Sequence, residues 1–107
     1  ISVQGYGLAA INGLSFDLII NGTSAGLTDE LVSFPDFSLT ERGCCYDMMY
    51  AADPTGFMRW AASKTPWAVS DGLGMLVEQA AESYFLWRGK RPDTRQIIQA
   101  LRHQISI

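Results

Sequence analysis

The chain has 107 residues, 48% of them hydrophobic and 18% charged, with a formal net charge of −3. That composition fits one small, fairly apolar globular domain and excludes a disordered chain. The acidic balance, with no basic patch interleaved with aromatics, excludes nonspecific nucleic-acid binding, and no apolar run is long enough for a membrane-spanning helix.

Residues 1–15 are punctuated by Gly5, Gly7 and Gly13 and read as a frayed strand followed by a short connector. Residues 16–21 form the clearest strand, a nearly continuous apolar run of the kind buried on both faces of a parallel sheet. Residues 22–39 read mostly as loop, with a turn at Phe34-Pro35-Asp36-Phe37 and a short helix within 29–39. A second buried strand is expected at 43–48. Residues 54–65 read as a helix with Asp53 as cap, Pro54 in the first position and Phe57, Met58 and Ala61 on one side; Pro66 ends it. Residues 67–70 make a third short strand.

Asp71-Gly72-Leu73-Gly74-Met75 is the most informative stretch. Asp71 is a good N-cap for the helix that follows. Gly72 and Gly74 weaken that helix start, so their missing Cβ atoms need a reason, such as a flat group approaching the backbone. Gln79 lies seven residues after Gly72, on the same face and about 10 Å further along the axis. Leu73, Leu76, Val77, Ala80, Ala81, Tyr84 and Phe85 recur at helical spacing until Gly89 stops the helix. Asp93 caps a last helix, with Gln96 completing a capping box and Ile97, Ile98, Leu101 and Ile105 as its apolar stripe. Strands alternating with helices imply an α/β fold with a parallel sheet and right-handed crossovers.

The candidate chemistry is sparse. Cys44 and Cys45 are adjacent, with no zinc-site spacing, and read as two buried reduced thiols on a central strand, which points to a cytosolic compartment. His103 sits near a helix C-terminus, where compensation of the helix dipole explains it. No residue set forms a metal site. Met48 taken alone is ordinary core packing. Tyr50, at the C-terminal end of a strand, points to the crevice where α/β sheets bind ligands. Asp47 reads as structural, anchoring a neighbouring loop.

Three segments in fixed order resemble the shikimate dehydrogenase family: Phe16-Asp17-Leu18-Ile19-Ile20-Asn21-Gly22-Thr23-Ser24-Ala25-Gly26-Leu27, then Tyr46-Asp47-Met48-Met49-Tyr50, then Asp71-Gly72-Leu73-Gly74-Met75-Leu76 with Gln79-Ala80. The later Leu86-Trp87-Arg88-Gly89 and Arg91-Pro92-Asp93 are similar to that family too. Gly22 stands where the family has Ala, and Thr55-Gly56-Phe57 where it has T-P-F. The resemblance implies a partial Rossmann-like parallel sheet flanked by helices. Residues 1–70 would be the end of a dinucleotide-binding domain, and 71–107 C-terminal helices that pack on a separate substrate domain. It implies NADP-dependent reduction of 3-dehydroshikimate to shikimate on the chorismate route to aromatic amino acids, in the cytoplasm. Asn21, Thr23, Ser24, Met48 and Gly72 would lie along the cofactor. Tyr50 and Gln79 would contact the substrate.

The family enzyme is expected to be well over twice this length, and the chain opens at Ile1 without a methionine. It has no glycine-rich pyrophosphate loop and no N-R-T segment, and Lys64 and Lys90 do not match the family's acid/base lysine. The expectation is therefore a fragment with no catalytic residue of its own, inactive alone, that self-associates through its C-terminal helix. Alternatives are a quinate-accepting or NAD-preferring paralogue, and a noncatalytic α/β interaction module.

Overall fold

The computed structural model describes residues 1–24, 34–64 and 66–106. Three strands, β1 (Ser15–Asn21), β2 (Ser38–Asp47) and β3 (Ala68–Ser70), form one sheet in the order β1-β2-β3, with both pairings parallel. Helix α1 (Gly56–Ala62) crosses from β2 to β3 and packs on both. Helices α2 (Leu73–Arg88) and α3 (Thr94–Ile105) follow and pack on each other. This is the α/β parallel architecture that the alternation of elements implies.

The core lies between α1 and the sheet. Cys45, Phe57 and Ala61 are buried there, with Ile19, Phe34, Leu39, Trp60 and Val69 packed around them. Phe57 and Ala61 are four apart, so one helix face delivers both. Phe57 contributes about 1.5–3 kcal/mol by leaving water. Phe34 stands 5.6 Å from Phe57 and 5.3 Å from Trp60, and Phe37 5.0 Å from Trp60, centroid to centroid. Tilted and edge-on rings at these separations suit the aromatic quadrupole.

Several expectations are corrected. Among the described residues, 16–21 are not covered on both faces: Ile19 packs against the Cys45, Phe57 and Ala61 core on one face, and Leu18 and Ile20 on the other are 54% and 56% exposed. Within the described sheet β1 pairs with β2 alone, and the described residues leave that apolar face uncovered. Residues 1–14 contain a short 3-10 helix at Leu8–Ile11 and no strand. The second strand starts at Ser38, five residues earlier than read. Its register slips between Phe16↔Leu39 and Leu18↔Cys44, and the bulged stretch is tied to β1 by Thr40 Oγ1 donating to Asp17 Oδ1 at 2.8 Å. Three extra residues in the bulge break the alternation that marks a strand in sequence. The helix expected within 29–39 falls partly outside the described residues; 34–37 are irregular and 38–39 belong to β2.

Asp53 does not cap α1, and Pro54 lies outside it. Thr55 is the N-cap, its Oγ1 accepting from the Met58 amide at 3.2 Å. Helix α2 ends as expected at Gly89, whose φ of 71° is the left-handed conformation that glycine adopts without strain. Asp93 caps α3 by accepting from the Arg95 amide at 3.1 Å. Cys45 is buried but Cys44 is only half-buried, since alternate residues of β2 face opposite sides; both are free thiols. Burial, and then the neighbouring Cys44, push the Cys45 thiol pKa up, so Cys45 is an inert core residue.

The apolar face of α2 divides in two. Leu73, Val77 and Ala81, at i, i+4 and i+8, are buried; Leu76, Ala80, Tyr84 and Phe85 are exposed. Of the α3 stripe, Ile98, Leu101 and Ile105 are half-buried, and only Ile97 is exposed. A stripe left wholly to water is therefore not what the structure has; packing of α3 against α2 covers part of it.

Candidate functional site

The three motif segments meet at the C-terminal ends of β1 and β2. Asn21 is the last residue of β1 and Asp47 the last of β2, paired across the sheet. Asp47 is 1% exposed, and its carboxylate gathers three segments. Oδ1 accepts from Asn21 Nδ2 at 3.2 Å and from the Met49 amide at 3.0 Å, and Oδ2 accepts from Thr55 Oγ1 at 2.5 Å. A buried carboxylate is tolerable only when its lone pairs are satisfied in this way. Asp47 thus anchors more than the one loop expected of it. Thr55 works in both directions, donating to Asp47 and accepting from Met58 at the start of α1.

Asn21 is turned inward as well. Its Oδ1 accepts from the Thr23 amide at 3.2 Å and from Thr23 Oγ1 at 2.7 Å, which curls the chain just past β1. Ser24 lies exposed beyond that curl. The Met48 amide donates to the Asn21 carbonyl at 3.0 Å, tying the tip of β2 to the end of β1. A Cβ on Gly22 would stand 3.3 Å from Met48 Sδ, so this loop lies directly against the methionine. An apolar cavity of about 240 Å³ opens beside the turn, lined by Ile19, Ile20, Gly22, Thr23, Phe34 and Phe37 among others.

The start of α2 closes the third side. The Gly72 amide donates to the Met49 carbonyl at 3.0 Å. A Cβ on Gly72 would lie 2.0 Å from the Met48 carbonyl oxygen. The space left by the missing Cβ is therefore filled by the Met48 backbone, which explains this glycine without a ligand. A Cβ on Gly74 would meet nothing within 4 Å, so packing inside the chain does not require glycine there. The N-cap position is Gly72, not Asp71, yet Asp71 still satisfies the helix start, with Oδ1 accepting from the Leu73 amide at 3.2 Å. Tyr50 follows Met49 and is exposed at the tip. Gln79 is exposed two turns along α2, its carbonyl accepting from Ser83 Oγ at 3.0 Å. Asn21, Thr23, Met48 and Gly72 are thus drawn together, whereas none of these bonds between segments reaches Ser24 or Gln79.

Comparisons with known proteins point to one family. The shikimate 5'-dehydrogenase C-terminal domain family matches residues 72–102. A shikimate dehydrogenase (NADP(+)) of Methylococcus capsulatus is 54% identical over 99 residues, 92% of this chain and 36% of that protein. A crystal structure of shikimate 5-dehydrogenase from Thermus thermophilus in complex with shikimate superposes with a TM-score of 0.63 at 32% identity, over 85% of this chain and 34% of that one. The chain belongs to the shikimate dehydrogenase family. An Ael1 enzyme from Pseudomonas putida superposes with a TM-score of 0.70 at 38% identity, over 94% of this chain and 35% of that one. The chain spans little more than a third of the length of the curated relatives it matches.

Two residues of this chain escape a reading of the sequence. Thr55 is visible as a possible cap, three residues before Met58. Arg102 has no local signal. It lies 31 residues from Asp71, donating from Nη1 to Oδ2 at 2.7 Å and from Nη2 to Oδ1 at 2.6 Å. The hydrogen bonds from Arg102 hold the Asp71 carboxyl below its ordinary range; burial opposes this and the Leu73 amide assists it. Arg102 is pushed up in turn, chiefly by its bonds to Asp71.

A folded-state pKa below the unfolded one gives stability that is fully present above the unfolded value and is lost as pH falls through the folded value. The Asp71 contribution should therefore be constant near neutrality and decline once pH drops below about 3.9, the unfolded aspartate value. Urea unfolding of the wild type and of Asp71→Asn across pH 2–7 should give curves that converge at the acid end. Parallel curves would show that Asp71 contributes no such linkage.

Proposed function

We propose that this segment acts within a longer NADP-dependent shikimate dehydrogenase, which reduces 3-dehydroshikimate to shikimate on the chorismate route to aromatic amino acids. In this reading its residues receive the nicotinamide end of the cofactor and form one wall of the substrate pocket. The observation that carries it is the convergence of the Asn21, Met48 and Gly72 segments at the C-terminal ends of parallel strands, where α/β sheets bind ligands. The apolar cavity beside Gly22 and Thr23 suits a flat, weakly polar ring. Asn21 braces the loop, Thr23 and Ser24 lie along the cofactor, Met48 packs on the ring, and Gly72, whose N–H is held by the Met49 carbonyl, offers the second lone pair of its own carbonyl. Tyr50 and Gln79 hydrogen-bond the substrate. NADPH supplies the hydride when bound, and residues outside this segment handle the proton. Residues 1–70 would then close a dinucleotide-binding domain, with 71–107 forming C-terminal helices. No described helix is long and apolar enough to cross a membrane. A cytoplasmic enzyme is consistent with the two free thiols.

In the longer enzyme, Tyr50→Phe and Gln79→Ala should each lower kcat/KM for shikimate by about 1–3 kcal/mol, with the KM for NADP nearly unchanged. The isolated 107-residue chain, as a control, should turn over no shikimate. Wild-type kinetics in both variants would remove these residues from the substrate site.

The isolated chain should also self-associate. Leu86 and Trp87 on α2 are 73% and 79% exposed, Ile97 of α3 is exposed, and among the described residues one edge of β1 has no strand partner. Sedimentation at micromolar concentration should give a species heavier than 11.8 kDa. A clean monomer would show that these surfaces tolerate water.

A further inference from the structure

Met49 is gripped from both sides. Its amide donates to Asp47 Oδ1 at 3.0 Å, and its carbonyl accepts from the Gly72 amide at 3.0 Å. The first grip belongs to the sheet. The second depends on where the Asp71-Gly72-Leu73 turn sits, because the Gly72 backbone rests directly on the Met48 carbonyl. That turn is fixed by the Asp71 carboxylate, whose side chain is only 8% exposed. Oδ1 takes the Leu73 amide, and both oxygens take the Arg102 guanidinium from the last turn of α3. A planar fork meeting a carboxylate through two parallel bonds fixes orientation as well as distance, which a single ammonium cannot do.

We infer that Arg102 is a positioning residue: through Asp71 and the Gly72 amide, the C-terminal helix sets where Met49, and with it Met48 and Tyr50, stand at the tip of β2. The chain of contact is continuous, from Arg102 to Asp71, from the Asp71 turn to Gly72, and from Gly72 to Met49. Its meaning for a substrate site rests on the reading given above, but the contact chain does not. The C-terminal helix is then part of the site's geometry, although none of its residues is placed on a ligand.

The test uses the 107-residue chain without ligand, so it stands apart from any failure to find shikimate turnover. Amide hydrogen exchange and amide chemical shifts are compared in wild type, R102Q and R102K. In R102Q the Gly72 and Leu73 amides should exchange about tenfold faster while β2 amides such as Cys45 keep their protection, as expected for a local rather than global opening. The Met49 amide and Met48 methyl signals should move with them. R102K keeps the charge and should retain α3 protection, yet still shift Gly72 and Met49, because one ammonium cannot reproduce the fork. Should R102Q not fold, R102K is judged on the same signals. Loosened α3 amides with Gly72, Leu73 and Met49 unchanged would overturn the inference and reduce Arg102 to a fastener of α3. A uniform loss of protection that includes β2 would overturn it too.

Discussion

Asp47→Ala should leave the chain largely unfolded at 25 °C in the absence of denaturant. The substitution strips partners from the Asn21 side-chain amide, the Met49 amide and the Thr55 hydroxyl at once. Each buried or part-buried donor left unpaired costs about 1–3 kcal/mol, and bonds to a charged acceptor sit at the upper end. A combined loss of about 4–6 kcal/mol follows, counting partial rescue by water. A domain of this size has roughly 5–15 kcal/mol in total, and a small one lies near the bottom of that range. Asp47→Asn keeps the shape and one acceptor oxygen but sets an NH2 against a donor, so it should fall between Asp47→Ala and wild type. Urea titration followed by circular dichroism measures all three. A shift of less than about 1 kcal/mol in Asp47→Ala would show that the three segments hold one another without the carboxylate.

The second large effect is expected at Gly72, with Gly74 as its control. Gly72→Ala places a carbon 2.0 Å from the Met48 carbonyl oxygen, a clash against backbone that no rotamer relieves. The turn must retreat from the tip of β2, which breaks the Gly72–Met49 hydrogen bond as well. Overpacking costs about 1–3 kcal/mol and the lost bond about 1 more, so a destabilisation of about 3 kcal/mol is expected. Gly74→Ala meets open space inside α2 and should stabilise by about 0.5–1 kcal/mol through helix propensity. Thermal unfolding of the two variants should move in opposite directions. Equal and small shifts in both would mean that the Gly72 turn yields easily.

How much of this is legible in the sequence depends on the range of the interaction. The end of α2 at Gly89 and the Asp93 cap are readable because each is decided within a few residues. The Asn21, Met48 and Gly72 segments are readable because their motifs stand in fixed order, and the structure brings them together. The exposed face of β1 is not readable: an apolar run looks the same whether another layer covers it or not. The cap of α1 misleads because Asp53 and Pro54 carry the stronger local signal, while Thr55 is favoured by a bond to Asp47 from another element. Arg102 is invisible for the same reason at longer range, since nothing in its own helix points to a carboxylate 31 residues away. Gly72 shows a subtler limit. Its sequence correctly announces a close approach, but the group that approaches is the chain's own backbone.

The all-parallel sheet also has a kinetic side. No neighbouring pair of strands is joined by a tight turn, so registering β1 on β2 closes a long stretch of chain; Asn21 and Asp47, which meet across that pairing, are 26 residues apart. Closing such a loop costs entropy before the Asn21–Asp47 contact returns anything, and the cost grows only slowly with length. The α2–α3 pair is local by comparison, two helices joined by a short connection and able to meet at once. The sheet is therefore the slow partner in folding, and the central strand β2, which must find a neighbour on each side, sets the pace.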